Sequence, residues 1–274
     1  MAELKRILVP VDFSETSFNA LETAAVLAQR NDASLDIVYA RDTIPELVMA
    51  GGSQGRLKEN SHAIMNAYVT AIEHRHKVKP EIIWEEGLPA EAIIRTAKIK
   101  DPDLIVCGTH GASGYRDAFI GSTAYTIIKY ATCPVLTIPA GPRRINFRKL
   151  LLPLRPIHGA LRNLDIVLNI ASENGQLHVL DLSGNNQDDR QLISYLMDEL
   201  KERLDEGTLK TSISKSPGYT IPDKVFSLLN HEKFDIVVIT PSLDMTNKQL
   251  YIGPHTQKII NQSSVPILTI KRFA

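Results

Sequence analysis

Short apolar runs alternate with longer stretches of helical periodicity along the first half of the chain. Apolar, β-branched runs fall at about 6–11, 34–40, 80–85, 103–107 and 134–138. Helical patterns lie between them, at about 15–30, 56–77, 89–99 and 122–131. Leu21, Ala24, Ala25 and Ala28 make an apolar stripe at helical spacing. Ser14 stands where a helix needs an N-cap acceptor, and Pro89 suits a first helical position. Strands rich in β-branched residues, alternating with helices, predict a mostly parallel α/β sheet covered on both faces.

The pattern then repeats. Arg6-Ile-Leu-Val-Pro-Val11 returns as Lys149-Leu-Leu-Leu-Pro-Leu154. Asp103-Leu-Ile-Val-Cys107 returns as Asp235-Ile-Val-Val-Ile239, and Cys133-Pro-Val-Leu-Thr-Ile138 as Val265-Pro-Ile-Leu-Thr-Ile270. The same markers in the same order predict two tandem domains, 1–141 and 146–274, joined through the turn-rich, basic segment around Pro142. Strands of the second copy are expected at about 149–154, 176–181, 209–214, 235–239 and 266–270. The apolar final strands of both copies are sheet edges, a liability if left bare.

One segment carries candidate chemistry. Gly108, Gly111 and Gly121-Ser122 follow a strand and open a helix, with spacing Gly-x2-Gly-x9-Gly-Ser. Glycine permits positive φ and close approach of the backbone to a ligand. The first amides of a helix lack partners and attract anions. The spacing is neither that of a Walker loop nor that of a dinucleotide fingerprint, and no Walker lysine is present. In doubly wound sheets ligands bind beyond the strand carboxyl ends. Pro10, Val11 and Asp12 after the first strand therefore converge with Gly108 after the fourth. A plain βα connection needing its glycines, and a capping role for Asp12 beside Ser14, are the structural alternatives.

Composition narrows the function classes. The 31 basic and 31 acidic residues cancel, so no global field draws nucleic acid or a membrane surface. No apolar run reaches the ~18 residues of a membrane span. The amino terminus passes straight into a strand rather than a signal peptide. Two cysteines, Cys107 and Cys133, make no disulfide framework, which fits a reducing cytoplasm, and both suit small core positions. His74 and His76 are expected on an exposed helix end and not as zinc ligands. The stretch Ala50–Gly55 is expected as a loop, and the charged helix from Asp188 to Glu206 as a solvated face.

Ile7-Leu-Val-Pro-Val-Asp12, Gly108-Thr-His-Gly111 with Gly121-Ser122, and Cys133-Pro-Val-Leu-Thr-Ile138 together resemble the universal stress protein family, and the resemblance spans the chain as a tandem pair. It implies two open, mostly parallel five-stranded sheets of order 3-2-1-4-5 with helices on both faces, like the adenine nucleotide alpha hydrolases. A subset with this glycine spacing binds ATP. By that resemblance Pro10, Val11 and Asp12 meet the adenosine end and Ala40 lies by the base. Gly108, His110, Gly111, Gly121, Ser122 and Thr123 surround ribose and phosphates. Any Mg2+ is carried by the phosphates. Final strands pair between domains, implying an internal pseudo-dimer; a homodimer and a protein partner stay open.

The second copy departs from this pattern. Pro10-Val-Asp12 becomes Pro153-Leu-Arg155, Gly108 becomes Thr240, Gly111 becomes Leu243 and Ser122 becomes Pro254; only Gly253 survives, opposite Gly121. Leu243 fills space and Pro254 lacks an amide proton. ATP binding is therefore expected in the first copy alone, with hydrolysis slow or absent. A scaffold without nucleotide is the competing class. An enzyme using His110 or Ser122 is a third, which the fold alone cannot support.

Overall fold

A computed structural model describes residues 3–41, 54–109, 120–143, 145–161, 164–204, 209–216, 218–240, 243–246 and 249–270. The apolar runs of the first half form β1 (Arg6–Pro10), β2 (Ser34–Arg41), β3 (Glu81–Glu86), β4 (Leu104–Gly108) and β5 (Val135–Ile138). Helices α1 (Glu15–Asn31), α2 (Gln54–His76), α3 (Pro89–Lys100) and α4 (Ser122–Tyr130) connect them. Ser14 caps α1 by accepting from the Ser17 amide at 3.2 Å, and Pro89 opens α3. Of the expected loop at 50–55, residues 50–53 lie outside the described residues, while Gln54 and Gly55 already belong to α2.

The second half supplies β6 (Phe147–Leu154), α5 (Ile166–Ile170), β7 (Ala171–Asp181), α6 (Gln187–Arg203), β8 (Leu209–Ser214), α7 (Ile221–His231) and β9 (Ile236–Ile239). It ends with β10 (Leu243–Thr246), β11 (Gln249–Ile252), α8 (Pro254–Gln262) and β12 (Ile267–Thr269).

Each half has the strand order expected for it, but the two sheets are one. Ten strands run β3-β2-β1-β4-β5-β12-β9-β6-β7-β8. Pairing is parallel throughout except at the seam, where β12 lies antiparallel to β5. There Ile267 faces Thr137, Leu268 faces Leu136 and Thr269 faces Val135. Two edges that would each expose unpaired backbone groups satisfy one another instead. Leu136 and Leu268 are equivalent in the repeat, so the seam lies on a local two-fold axis.

Side-chain alternation along the strands sends Ile7 and Val9 to one face and Leu8 to the other. Each face carries a core layer that crosses both halves. One layer holds Val9, Leu21, Val106 and Leu136 with Leu152 and Leu268; the other holds Leu8, Ile105 and Ile128 with Leu151, Val237 and Ile260.

Four local features differ from the sequence expectation. Where the first half has the long helix α1, the second has turns and the five-residue α5. β7 begins at Ala171 rather than near 176, with a register shift between Phe147 and Lys149. Helix α6 is not simply a solvated face: Ile193, Leu196, Met197 and Leu200 form a buried stripe, hidden in the sequence among flanking charges. His76 is buried rather than exposed, its Nε2 3.0 Å from Glu22 Oε2 on α1. Burial raises the Glu22 carboxyl, but the hydrogen bonds from His76 and Arg75 and the charges of Arg75 and Arg143 outweigh it and hold it below its usual range. Among the described residues no helix is long and apolar enough to cross a membrane.

Candidate functional site

A cavity of about 190 Å³ opens beyond the carboxyl ends of β1, β2 and β4, against the start of α4. Pro10, Val11, Asp12, Ala40, Gly108, Gly121, Ser122 and Thr123 all line it. The topology explains the meeting: β1 and β4 are neighbours in the sheet, although nearly a hundred residues separate them in the chain. His110 and Gly111 lie outside the described residues.

The β1 end is shaped by a tight turn. The Val11 amide donates to Val38 O at 2.9 Å, extending the parallel pairing by one residue. Asp12 Oδ1 then accepts from the Ser14 amide at 3.0 Å and from the Ser14 hydroxyl at 2.5 Å. Phe13 between them takes φ +64°, an uncommon conformation for a bulky residue. Asp12 thus does serve the entry to α1, and the same bonds orient its exposed carboxylate at the cavity rim.

The β4 end is shaped by packing. Neither Gly108 nor Gly121 has positive φ, so neither glycine is required by its backbone conformation. A Cβ at Gly108 would lie 2.8 Å from Thr16 Oγ1 and 3.1 Å from the Thr16 backbone carbon. Gly108 is needed so that α1 can close on β4. The second half confirms the logic: α1 has no long counterpart there, and Thr240 occupies the equivalent position with its hydroxyl 3.3 Å from Ala160 O. Gly108→Ala is expected to cost about 1–3 kcal/mol of stability through overpacking. A thermal melt identical to the parent would overturn this account.

Helix α4 starts without a side-chain cap. Its first intrahelical bond runs from the Tyr125 amide to Gly121 O at 2.9 Å, so the Ser122, Thr123 and Ala124 amides gain no partner within the helix. The Gly121 amide is different: it donates to Thr109 O at 2.8 Å. The anion-attracting group is therefore the run Ser122–Ala124, one residue later than the glycine itself. The positive end of the helix dipole adds to it.

Sequence reasoning missed the inner wall. Val38, Ile93, Cys107 and Ile127 read as core and are buried, yet they also floor the cavity. Ser17, one turn into α1, adds a hydroxyl that faces the Asp12 amide at 3.4 Å. No spacing signal marks such dual-purpose residues. Burial pushes the Cys107 thiol up to about 12, so at neutral pH it is an apolar wall element and not a thiolate. Among the described residues no three His, Cys, Asp or Glu groups converge to hold a metal ion.

In the second half β10 and β11 pair antiparallel, with Leu243 opposite Ile252. Gly253 precedes α8 with φ −56° and ψ 150°, matching Gly121 at φ −58° and ψ 148°, but Pro254 follows.

The model of the universal stress protein family matches residues 3–139. Universal stress protein MJ0531 of Methanocaldococcus jannaschii is 33% identical over 140 residues, covering 49% of this chain and 81% of that protein. Universal stress protein YxiE of Bacillus subtilis is 32% identical over 146 residues, covering 48% of this chain and 97% of that protein. The crystal structure of a universal stress protein from Archaeoglobus fulgidus is similar over 98% of this chain and 97% of its own, with TM-score 0.72 and 17% identity. That likeness concerns the fold of both halves together.

Proposed function

This chain belongs to the universal stress protein family, and on that premise we propose that its first half, 1–141, binds ATP in the crevice between β1, β2, β4 and α4. The second half, 146–274, is the partner domain of an internal pseudo-dimer. Occupancy of the crevice is presented to a protein partner in the cytoplasm, with little or no hydrolysis. The single observation behind this reading is convergence. Two segments far apart in sequence, Pro10–Asp12 and Gly121–Thr123, line one cavity.

The cavity suits division of labour along a nucleotide. Its volume of about 190 Å³ is smaller than the ~300–1,000 Å³ that encloses a whole drug-sized ligand. The apolar floor of Val38 and Ala40 takes the base. The Asp12 carboxylate, oriented by Ser14, accepts from ribose hydroxyls. The phosphates extend over the uncapped amides of Ser122, Thr123 and Ala124, with the Ser122 hydroxyl as a further donor. Any Mg2+ rides on the phosphates. Asp12 is the one carboxylate among the described lining residues, and it is engaged with Ser14, so no described group is assigned to activate water.

The scaffold reading draws on the finding that Gly108 answers to helix packing. Titration calorimetry of nucleotide-stripped protein with ATP and Mg2+ separates the two. Saturable binding near one per chain, weakened about tenfold or more by Asp12→Ala through the loss of a charged hydrogen-bond acceptor, is the expected result. No heat and no thermal shift with ATP would leave the scaffold.

A further inference from the structure

The backbone that leads into α4 beside the crevice is held from the other half of the protein. Ile120, immediately before Gly121, donates its amide to Asn261 Oδ1 of α8 at 2.9 Å. Its neighbour Gly121 donates to Thr109 O at 2.8 Å. These adjacent amides fix the backbone that leads into Ser122, one from within the first half and one from the second. Close by, Gln257 Nε2 of α8 approaches the Tyr125 hydroxyl of α4 at 3.4 Å and donates to Ile252 O at 3.0 Å.

The local two-fold axis at the seam makes the contact informative. Tyr125 and Gln257 are equivalent positions in the repeat, so their contact crosses the axis. Asn261 corresponds to Lys129 and Ile120 to Ile252. The symmetry mate of the Ile120–Asn261 bond would be a bond from the Ile252 amide to Lys129. An ammonium carries only donors and accepts nothing. The bond therefore serves the first half alone. It survives in the half where Gly108, Gly111 and Ser122 have become Thr240, Leu243 and Pro254.

We propose that Asn261 is a positioning residue for the nucleotide crevice: the second half fixes, through the Asn261 carboxamide, the backbone from which the Ser122–Ala124 amides meet the phosphates. This rests on the nucleotide reading above. It gives the degenerate half a defined task, and it links the two halves energetically. A ligand that shifts Ile120 alters a contact on α8, and a change at α8 alters ligand affinity by the same factor.

The test uses the full-length chain in three forms: parent, Asn261→Ala and Asn261→Asp. Asn261→Ala leaves the Ile120 amide without its acceptor, whereas aspartate keeps an acceptor oxygen. Hydrogen exchange is read at the peptide containing Ile120, and ATP affinity by calorimetry. The expected result is faster exchange at Ile120 and affinity lower by about tenfold in the alanine variant. Aspartate should restore protection, and exchange in β5 and β12 should not change. If the parent binds ATP and alanine alters neither affinity nor Ile120 exchange, the positioning role is wrong and the nucleotide reading stands. If the parent binds no ATP, the nucleotide reading fails. Loss of Ile120 protection in the alanine variant would then still uphold the restraint across the seam, and unchanged protection would overturn it.

Discussion

Replacing Ser122 with proline is expected to lower ATP affinity roughly 10²–10⁴-fold while leaving the fold intact, since two hydrogen bonds to a charged group are worth about 1.5–3 kcal/mol each. The substitution removes the first amide of α4 and the hydroxyl beside it. It should not damage the helix, because proline is well suited to the first helical position and its missing amide has no partner within the helix. The second half carries out the experiment already: Pro254 follows Gly253 at φ −56° and ψ 150°, and Gly121 has φ −58° and ψ 148°. The preceding residue thus stands in the extended conformation that proline requires. Calorimetry and a thermal melt on the same preparation check both halves of the statement. Undiminished affinity with an unchanged melt would show that the start of α4 does not carry the phosphates.

Leu268→Ala is expected to lower the melting temperature by on the order of 10 °C, from a cost of about 2–5 kcal/mol for a buried leucine and about 2–4 °C per kcal/mol in a chain of this size. Leu268 is fully buried and faces Leu136 across the antiparallel seam. Its loss opens a cavity in the core layer that crosses both halves. Because sheet and core continue through the seam, both halves should melt in one transition, and that transition should move. Two transitions of which only one shifts would show that the halves are energetically independent. Affinity for ATP should also fall, because Ile120 is restrained from α8, beyond the same seam.

Much of the site was legible in local pattern. Apolar runs marked β1 and β4, and a glycine followed by serine marked the start of α4. The parallel α/β rule placed Asp12 and Gly108 at one edge. Positive φ is not what Gly108 and Gly121 require. Gly108 answers to Thr16, a residue on a different element, and contact between elements leaves no trace in spacing. The Gly121 amide is engaged by Thr109, so the anion-attracting amides are those of Ser122–Ala124. The inner wall of Cys107 and Ile127 was hidden because an apolar residue looks the same in sequence whether it faces a core or a cavity.

By itself the sequence determined what depends on near neighbours along the chain. Strand and helix periods, the Ser14 cap, the duplication and the loss of glycines in the second copy are all local patterns. Side-chain alternation and backbone propensity act over a few residues and need no partner. Only tertiary structure decided what depends on which surfaces meet. It set the antiparallel register in which the expected pairing of β5 and β12 occurs, replaced a second α1 by turns, and turned His76 inward onto Glu22. It also brought Asn261 to the Ile120 amide. Each of these satisfies a polar group or covers an apolar face with a partner distant in sequence, and that choice is made by packing in three dimensions.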